Sequence, residues 1–451
     1  MASISCLLPH ELRNGLPVSL QSQWDDLCQA HQEEAVNSIR SNPKKPFRST
    51  DGLTKVPWCQ YGFYLTERPS YVADPLWHAG AYYVQEASSM FLEQAFLQHA
   101  NFREPKCVLD LCAAPGGKST LMASILDEDD LLVSNEVIQS RVGVLNENAV
   151  KWGSMNHWVC QNDPAQFGRT PDMFNVLLVD APCSGSGLFR KLPEYQHEWS
   201  NQLVHLCAER QKRILHDSLP SLSHNGLLIY MTCSLSQAEN EDMLDFLMES
   251  FDLSPLKIDQ LVEGIVETSS SKGAYGYRLM PHLIQGEGFF LACFRKNDGQ
   301  AMFRPSKPKI GHAQEGAWNS FLKTEALQLI QKEDDFYAIS AAHHAFYQQT
   351  QRSYKWIKRG IALGKMIRKD MIPDHELAMY QDVEFQERVE LDLKQALMYL
   401  KKDTFVLPDT PKGWHLASFQ GLPLGWVKNL GNRMNNYYPS TYRILKQNIL
   451  T

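Results

Sequence analysis

The sequence predicts an α/β protein with a doubly wound, mostly parallel sheet, and two observations support this prediction. From residue 74 to residue 296, short apolar runs that end in turn residues alternate with amphipathic stretches, as in a parallel sheet with crossover helices. The longest apolar runs have the length of strands. In such sheets, ligands bind beyond the carboxyl ends of the strands. The predicted strands cover residues 107–111, 131–134, 157–160, 176–179 and 227–231.

The elements around these strands follow from the same reading of the pattern. Apolar residues recur at helical spacing from Leu20 onward, so a helix is expected over residues 20–38. The polar residues that follow, up to Arg48, are expected to form a loop. Residues 289–294 are predicted to form a late strand, antiparallel to the others. Four helices are predicted to begin near Lys118, Ser140, Ser200 and Gln237.

Changes in pattern divide the chain into four parts. These are an N-terminal helical segment (1–73), the α/β domain (74–296), a linker with an intermediate region (297–402) and a β-rich module (403–451). The linker is the polar stretch at 297–316, and residues 413–428 read as two strands around a Gly/Pro turn.

The composition is that of a globular protein, with 43% hydrophobic and 21% charged residues. No apolar run approaches the roughly 20 residues of a membrane span, and no basic segment precedes an apolar stretch at the N-terminus. We therefore expect a cytoplasmic enzyme that does not contact a membrane.

The ten cysteines show no spacing typical of a metal site. No two are separated by two residues, and none has histidines at the spacing of a zinc finger. We expect no metal and no disulfide framework in a chain of this length. Most of the cysteines should be small buried residues, which leaves one or two for chemistry.

Charge gives an ambiguous indication of nucleic-acid binding. The net charge of −7 argues mildly against it. However, residues 352–369 contain seven Lys or Arg and no acid, with Tyr354 and Trp356 interleaved, which suits backbone contact and base stacking. A solvated charged face is an equally good interpretation of this segment alone. The candidate RNA contacts here are Arg352, Lys355, Lys358 and Arg359.

The first predicted strand leads into a loop of small residues and paired glycines, which lets a ligand approach the backbone and the next helix N-terminus. The loop differs from the phosphate loop because Cys112 stands where that motif needs its first glycine, and it lacks the GxGxxG pattern of dinucleotide sites. Its residues are Cys112, Ala113, Ala114, Pro115, Gly116, Gly117 and Lys118.

The next two strands end in acids that suit a nucleoside. Glu136 stands where a carboxylate can accept hydrogen bonds from both ribose hydroxyls, and Asp163 could bind the exocyclic amine of adenine. Each acid alone could equally be an ordinary turn or N-cap residue. Three ligand-like strand ends in register favour a nucleoside cofactor without a required phosphate, and S-adenosylmethionine fits this description.

Two cysteines follow the last two parallel strands, Cys183 in Asp180-Ala-Pro-Cys183 and Cys233 in Thr232-Cys-Ser234. Either alone could be a structural thiol, but together with Asp180 they indicate covalent catalysis. Carbon 5 of cytosine is too weak a nucleophile to take a methyl group unless a thiolate first adds to carbon 6, and a carboxyl group near nitrogen 3 would stabilise the developing charge. Amine methyltransferases usually have a different turn, Asn/Asp-Pro-Pro-aromatic, at this place.

These motifs resemble the Sun (Nol/Nop/Sun) family of RNA cytosine-5 methyltransferases. The resemblance is dense from about residue 38 to residue 296, and it includes Val84-Gln-Glu-Ala-Ser-Ser89 and Arg278-Leu-Met-Pro-His282. It implies a Rossmann-like class I methyltransferase domain that binds S-adenosylmethionine. By the same resemblance, Cys233 is the nucleophile, Cys183 assists product release, and Asp180 contacts both the cofactor and the cytosine.

Outside the catalytic domain, the resemblance implies two RNA-binding parts. The family places an element like an RNA-recognition motif before the catalytic domain, and the N-terminal segment has room only for a reduced one. The C-terminal region, with Gly421-Leu-Pro-Leu-Gly-Trp426 and Lys428, resembles the PUA-like modules of the bacterial small-subunit ribosomal RNA branch. We expect a monomeric enzyme whose partner is ribosomal RNA, either free or within the small ribosomal subunit. Lys428 is a further candidate contact.

Two other functions stay open at this point. The same chemistry could act on transfer RNA, since PUA-like folds also serve transfer RNA enzymes. A catalytically silent RNA-binding assembly factor is less consistent with the sequence, because the candidate nucleophile and the cofactor acids are all present.

Overall fold

The computed structural model describes residues 8–47, 50, 52–302, 318, 321–322, 326–368, 370–405 and 410–445. Most of the predicted linker at 297–316 lies outside these residues. None of the helices in the described ranges has both the length and the apolar character needed to cross a membrane.

The helices and strands of the described residues are as follows. The α-helices are α1 (His10–Asn14), α2 (Val18–Gln21), α3 (Trp24–Ala30), α4 (Pro75–His78), α5 (Leu92–His99), α6 (Gly117–Ile125), α7 (Gln139–Trp152), α8 (Pro164–Gly168), α9 (Asn201–Ser218), α10 (Glu241–Ser250), α11 (His344–Thr350), α12 (His375–Met379) and α13 (Leu393–Lys401). The strands are β1 (Asn37–Ser41), β2 (Gly62–Leu65), β3 (Tyr82–Val84), β4 (Cys107–Asp110), β5 (Leu131–Asn135), β6 (His157–Cys160), β7 (Phe174–Asp180), β8 (Leu222–Thr232), β9 (Leu253–Leu256), β10 (Ile265–Ser269), β11 (Tyr275–Leu279), β12 (Phe289–Lys296), β13 (Leu327–Lys332), β14 (Asp335–Ser340), β15 (Trp356–Lys358), β16 (Ile361–Ile367), β17 (Asp370–Pro373), β18 (Arg388–Glu390), β19 (Gly413–Phe419), β20 (Leu422–Asn429) and β21 (Met434–Asn436).

The largest sheet has ten strands, and its parallel part confirms the predicted α/β domain. The order is β10-β11-β12-β8-β7-β4-β5-β6-β15, with β9 paired to β12. The five predicted strands are the parallel neighbours β8, β7, β4, β5 and β6. The chain runs outward from β4 to β6 and then crosses back to β7, so a ligand crevice opens where the strand order reverses, between β4 and β7. The predicted late strand is β12, which is antiparallel to β8.

Both faces of the parallel strands are buried, which explains why their sequences are apolar throughout. In β7, Leu177 and Val179 enter the cluster on one face, and Val176 and Leu178 enter the cluster on the other. α9 and α10 cover the first face, and α5 and α6 cover the second. The helices predicted near Lys118, Ser140 and Ser200 are α6, α7 and α9, while the one predicted near Gln237 begins as a 3₁₀ turn before α10.

The prediction of one N-terminal helix over residues 20–38 is wrong. The apolar pattern is divided between α2, which contains Leu20, and α3. Trp24 and Leu27 of α3 pack against Phe189 and Trp199. The expected loop begins inside β1, which is antiparallel to β2 and β3. Because β3 belongs to this sheet, the N-terminal unit extends beyond the predicted boundary at residue 73. The strand was missed because it contains Arg40, a residue that looks solvent-exposed in sequence but is fully buried.

The predicted intermediate region contributes to the central sheet. Its own antiparallel sheet has the order β13-β14-β16-β17. β15 instead pairs with β6, so that Trp356 lies opposite Cys160 at the edge of the ten-stranded sheet. The predicted boundary at residue 296 therefore separates strands that the structure joins.

The C-terminal module begins before the predicted residue 403. Its sheet has the order β18-β19-β20-β21, and β18 is parallel to β19. The two strands predicted at 413–428 are β19 and β20, joined at Gln420 and Gly421, which both have positive φ (49° and 78°). Such a pair of residues is typical of the tight turns that match the twist of a hairpin.

Candidate active site

Three half-buried cysteines lie together at the carboxyl ends of the parallel strands. Among the described residues, eight cysteines are free, and the five that are fully buried fit the prediction of small apolar residues. Cys28, in contrast, is disulfide-bonded, although the sequence led us to expect no disulfide framework. The three half-buried ones, Cys112, Cys183 and Cys233, all line the same cavity.

Cys183 and Cys233 are in contact although 50 residues separate them in sequence. Cys183 follows β7 and Cys233 follows the parallel neighbour β8, and their Sγ atoms are 3.1 Å apart. The pKa of Cys183 is raised well above its ordinary value, mainly by the hydrogen bond with Cys233 and also by burial. Cys183 therefore stays protonated at neutral pH and can donate its proton in a hydrogen bond to the sulfur of Cys233.

Lys118 and Asp180 form an ion pair beside the cysteines. Nζ of Lys118 lies 2.7 Å from Oδ2 of Asp180 and 5.0 Å from the ring centre of Phe289. Burial opposes the charge on Lys118, but the carboxylate of Asp180 outweighs it and raises the pKa of the ammonium group. The pair thus remains charged in a half-buried site, where its field on a bound ligand is strong.

Hydrogen bonds from neighbouring segments fix the loop between β4 and α6. The backbone nitrogen of Ala113 donates to the carbonyl of Asn135 at 2.8 Å, and Asn148 donates to the carbonyl of Pro115 at 2.9 Å. Gly116 has φ +113°, a conformation that residues with a side chain rarely adopt. The chain therefore turns tightly and presents the backbone around Cys112 to the cavity.

Glu136 and Asp163 stand at the ends of the neighbouring strands as predicted. Glu136 is buried; its Oε1 accepts from the nitrogen of Ile138 at 2.9 Å, and its Oε2 is 3.3 Å from Arg141 but has no hydrogen-bond donor among the described residues. Asp163 is exposed and caps α8, accepting from the nitrogen of Ala165 at 3.0 Å. It is both an N-cap and a residue of the cavity wall.

Two adjoining cavities are lined by all of the predicted catalytic and cofactor-binding residues except Gly116. The larger has a volume of about 820 Å³ and the smaller about 350 Å³. In the part of the chain that the structure describes, no group of three or more His, Cys, Asp or Glu side chains is placed to bind a metal ion. The larger cavity is lined by Cys112, Ala114, Glu136, Asp163, Asp180, Cys183 and Cys233, and the smaller adds Ala113, Pro115, Gly117 and Lys118.

Glu239 is a residue of this site that the sequence analysis missed. It is fully buried and accepts hydrogen bonds from the nitrogen of Ser184 (2.8 Å), the hydroxyl of Ser184 (2.6 Å) and the hydroxyl of Ser234 (2.5 Å). Nε2 of Gln211 donates a fourth bond at 3.2 Å. Ser184 and Ser234 directly follow the two cysteines, so one carboxylate joins both cysteine loops.

The sequence around Glu239 contains a pattern that would place this residue on the surface. Ser236-Gln-Ala-Glu239 matches the capping box, in which the acid lies at the exposed start of a helix. In the structure, the hydroxyl of Ser236 makes no capping bond, and Glu239 turns inward. Burial raises its pKa, whereas the hydrogen bonds from Ser184 and Ser234 act in the opposite direction.

The candidate RNA contacts differ in accessibility, and the prediction for Lys358 is wrong. Lys358 is buried, and its Nζ lies 2.9 Å from Glu376 and donates to backbone carbonyls, including that of His157 at 2.8 Å. Since β15 joins the central sheet, Tyr354 is buried in its core and is not free to stack on bases, and Trp356 is partly buried against the same core.

The remaining candidates reach the surface to different degrees. Arg352 and Lys355 are exposed, and Nζ of Lys355 donates to Gln161 at 2.6 Å. Arg359 lies 4.6 Å from the ring centre of Tyr337, and Lys428 lies 5.0 Å from that of Trp414.

Three family models match this chain. The model of the 16S rRNA methyltransferase RsmB/F matches residues 97–295. The model of the N-terminal domain of 16S rRNA methyltransferase RsmF matches residues 8–87, and that of the methyltransferase RsmF PUA domain matches residues 386–444. The N-terminal match covers α1 to α3 and the sheet of β1 to β3, and the C-terminal match covers the sheet of β18 to β21.

Individual proteins support the same grouping. The chain is 32% identical to the ribosomal RNA small subunit methyltransferase F of Aeromonas salmonicida, over 85% of this chain and 84% of that protein. It is 30% identical to the protein of the same name from Shigella boydii serotype 18, over 95% and 94%. Among solved structures, a methyltransferase homolog from Pyrococcus horikoshii has a TM-score of 0.53 and 26% identity, covering 63% of this chain and 93% of the homolog. NSun6 from Pyrococcus horikoshii, solved with SFG, has a TM-score of 0.54 and 18% identity, covers 65% and 99%, and shares the fold.

Proposed function

Because the chain belongs to the RsmB/F family of 16S rRNA methyltransferases, we propose that it transfers the methyl group of S-adenosylmethionine to carbon 5 of a cytosine in small-subunit ribosomal RNA. The observation that carries this proposal is the contact between Cys183 and Cys233, 3.1 Å apart beside the Lys118–Asp180 pair. Methyl transfer to an amine needs no thiol, whereas transfer to carbon 5 of a pyrimidine needs one.

The residues present fit the proposed cofactor. The buried Oε2 of Glu136 has no hydrogen-bond donor in the described residues and can accept from a ribose hydroxyl. The tight turn at Gly116 leaves the backbone accessible. Residues 112–118, Glu136, Asp163 and Asp180 would hold the cofactor, which supplies a methyl group bound to a positively charged sulfur.

In the proposed mechanism, the thiolate of Cys233 adds to carbon 6 of the cytosine. The electron pair of the 5,6 double bond moves through carbon 4 towards nitrogen 3, where the ammonium group of Lys118, held in place by Asp180, stabilises the developing negative charge. Carbon 5 would then take the methyl group that bound S-adenosylmethionine supplies, and the electron pair of the broken carbon–sulfur bond would stay on the cofactor's sulfur. After a base removes the proton from carbon 5, the bond between carbon 6 and sulfur breaks and the thiolate of Cys233 is released.

Cys183 has a distinct role in this proposal. Its raised pKa keeps the thiol protonated, so that it can donate a hydrogen bond to the sulfur of Cys233. Such a donor stabilises Cys233 as a leaving thiolate and thereby promotes release of the methylated RNA.

For RNA binding, we propose the C-terminal module together with the exposed basic residues. Arg352 and Lys355 reach solvent next to Gln161, two residues before Asp163, so RNA bound there would lie near the cofactor site. Lys428 projects from β20 over Trp414. Lys358 does not belong to this surface because it is buried.

The proposal is tested with tritiated S-adenosylmethionine and RNA from a strain that lacks the gene. Wild-type protein, Cys183→Ala, Cys233→Ala and the double variant are compared, with Cys293→Ala as a control at a buried cysteine of β12. We expect label in small-subunit RNA with wild type and control, none with Cys233→Ala, and a covalent protein–RNA adduct on denaturing gels with Cys183→Ala alone.

Each alternative gives a different result. Activity retained by Cys233→Ala would refute the nucleophile, and label found only in transfer RNA would redirect the substrate. Label that is not read as 5-methylcytosine by bisulfite sequencing would refute the position of methylation. Absence of label from free RNA and from intact small subunits alike would refute the enzymatic function.

A further inference from the structure

Two exposed arginines of α9 line the larger cavity next to the cysteines. Arg210 and Arg213 are three residues apart and therefore lie on one face of the helix, with Cβ atoms about 5–6 Å apart. Both belong to the wall that also contains Cys183 and Cys233. Neither arginine is among the residues proposed to bind the cofactor or to react with the cytosine.

Neither arginine has a partner within the described residues: no carboxylate lies within ion-pair distance, and neither guanidinium makes a hydrogen bond. The neighbouring Lys212, in contrast, is paired with Glu209 at 2.8 Å. A planar guanidinium with free donors is suited to bind phosphate.

The helix that carries these arginines is fixed to the catalytic loops. Gln211, which lies between them in sequence, is buried and donates to the carbonyl of Pro182 at 3.1 Å and to Glu239 at 3.2 Å. Pro182 directly precedes Cys183. The two arginines are therefore attached to a helix that is fixed relative to the nucleophile, rather than to a loop.

Charge on the cavity wall decides where a polyanion can approach. Of the four acids on this wall, Glu136, Asp163 and Asp180 are at the strand ends, where they disfavour phosphate. The fourth is Glu198, and the remaining arginine of the wall, Arg141, is paired with Glu136. Arg210 and Arg213 lie on the side of the cavity formed by α9, where Tyr195 also presents a ring that is 42% exposed. At about 820 Å³, the cavity is near the upper end of the range for a single small ligand, so it has room for a cofactor and an extruded nucleotide.

We infer that Arg210 and Arg213 bind phosphates of the RNA strand on either side of the nucleotide that enters the cavity. This inference rests on the proposed function, because it takes the cavity as the place where the target base is bound. Phosphate contacts set the position of a nucleic acid without reading its sequence. The two arginines would therefore direct any strand over the cysteines, and base selection would depend on other contacts.

The test is the salt dependence of RNA binding, measured without cofactor so that it does not depend on methyl transfer. Dissociation constants for small-subunit ribosomal RNA from a strain lacking the gene are measured over a tenfold range of salt. The proteins are wild type, the double variant Arg210→Gln/Arg213→Gln, the double variant Arg210→Lys/Arg213→Lys, and Lys212→Gln as a matched control on the same helix. Melting temperatures confirm that all four proteins fold.

Loss of two phosphate contacts should reduce the slope of log Kd against log salt by about 1.4 for a single strand. Over the tenfold salt range, the ratio of the glutamine variant's Kd to that of wild type should shrink about 25-fold. The lysine variant should keep most of the slope, and Lys212→Gln should keep all of it. An unchanged slope in the glutamine variant, or an equal loss in Lys212→Gln, would overturn the inference.

Failure of the inference and failure of the proposed function give different results. If the arginines do not bind phosphate, wild type still labels RNA and the glutamine variant keeps its slope. If the proposed function is wrong, wild type transfers no label, whatever the salt slopes show. Wild-type protein that does not bind the RNA at all would overturn both.

Discussion

The carboxylate that joins the two cysteine loops provides the sharpest test of how this site is built. Glu239 accepts four hydrogen bonds, two from Ser184, one from Ser234 and one from Gln211. Because Ser184 and Ser234 follow Cys183 and Cys233, these bonds set the positions of both sulfur atoms. We predict that Glu239 acts as a positioning residue for the reaction, although it lines neither cavity.

The magnitude follows from the donors that lose their acceptor. In Glu239→Ala, the two serine hydroxyls can turn towards each other, since their oxygens are 3.3 Å apart. The backbone nitrogen of Ser184 loses its acceptor, and the amide of Gln211 keeps only its bond to the carbonyl of Pro182. Each buried donor hydrogen left unsatisfied costs about 1–3 kcal/mol. We therefore expect a loss of about 2–6 kcal/mol in the free energy of unfolding, a large part of the stability of a typical domain.

Glu239→Gln separates the positional effect from unfolding. The amide can keep its oxygen towards the nitrogens of Ser184 and Gln211 and turn its NH₂ group towards the hydroxyls of Ser184 and Ser234, which can accept. The loss of stability should therefore be smaller than in Glu239→Ala. A sulfur misplaced by about 1 Å can lower the rate about 100-fold. We expect kcat to fall by about 10- to 100-fold, while KM for S-adenosylmethionine remains near that of wild type.

The measurements are denaturant unfolding, steady-state methyl transfer, and the yield of covalent adduct in a Cys183→Ala background. Glu209→Gln, which removes an exposed carboxylate of α9, serves as the control. If Glu239→Gln were destabilised by the expected amount but kept the wild-type kcat and adduct yield, its role would be structural only. The positioning role would then be refuted.

Two further predictions concern buried charges. Burial raises the pKa of Asp110 to about 7, against about 3.9 in the unfolded chain. The contribution of Asp110 to stability is therefore complete below about pH 4 and is lost as the pH rises through 7. Asp110→Asn can still accept from Ser119 and should be more stable than wild type at pH 8 by up to about 4 kcal/mol. Denaturant unfolding from pH 4 to pH 8 checks this, and a difference that does not grow with pH would contradict it. Lys358→Met leaves the carboxylate of Glu376 without its partner and should cost about 3–5 kcal/mol while leaving the salt dependence of RNA binding unchanged. Weaker RNA binding without loss of stability would return Lys358 to the RNA-binding surface.

The catalytic fold was predictable because its signals are local. Strands buried on both faces are continuous apolar runs, and the loop from Cys112 to Lys118 is a contiguous motif. Parallel topology then places the ends of β4, β5, β6, β7 and β8 at one edge of the sheet. For this reason Glu136, Asp163, Asp180, Cys183 and Cys233 could be assigned to one site from sequence, and all of them line one cavity.

The tertiary structure decided which polar residues are buried and what they contact. Arg40, Glu239 and Lys358 look like solvent-exposed residues in the sequence, yet each lies inside the protein with hydrogen-bond partners from distant segments. The same holds for β15, which could be placed at the edge of the central sheet only once β6 was seen to lack another neighbour there. A periodic pattern reports on one element and its own faces. The burial of a charge depends instead on whether distant parts of the chain supply enough partners to replace water, and only the assembled fold determines that.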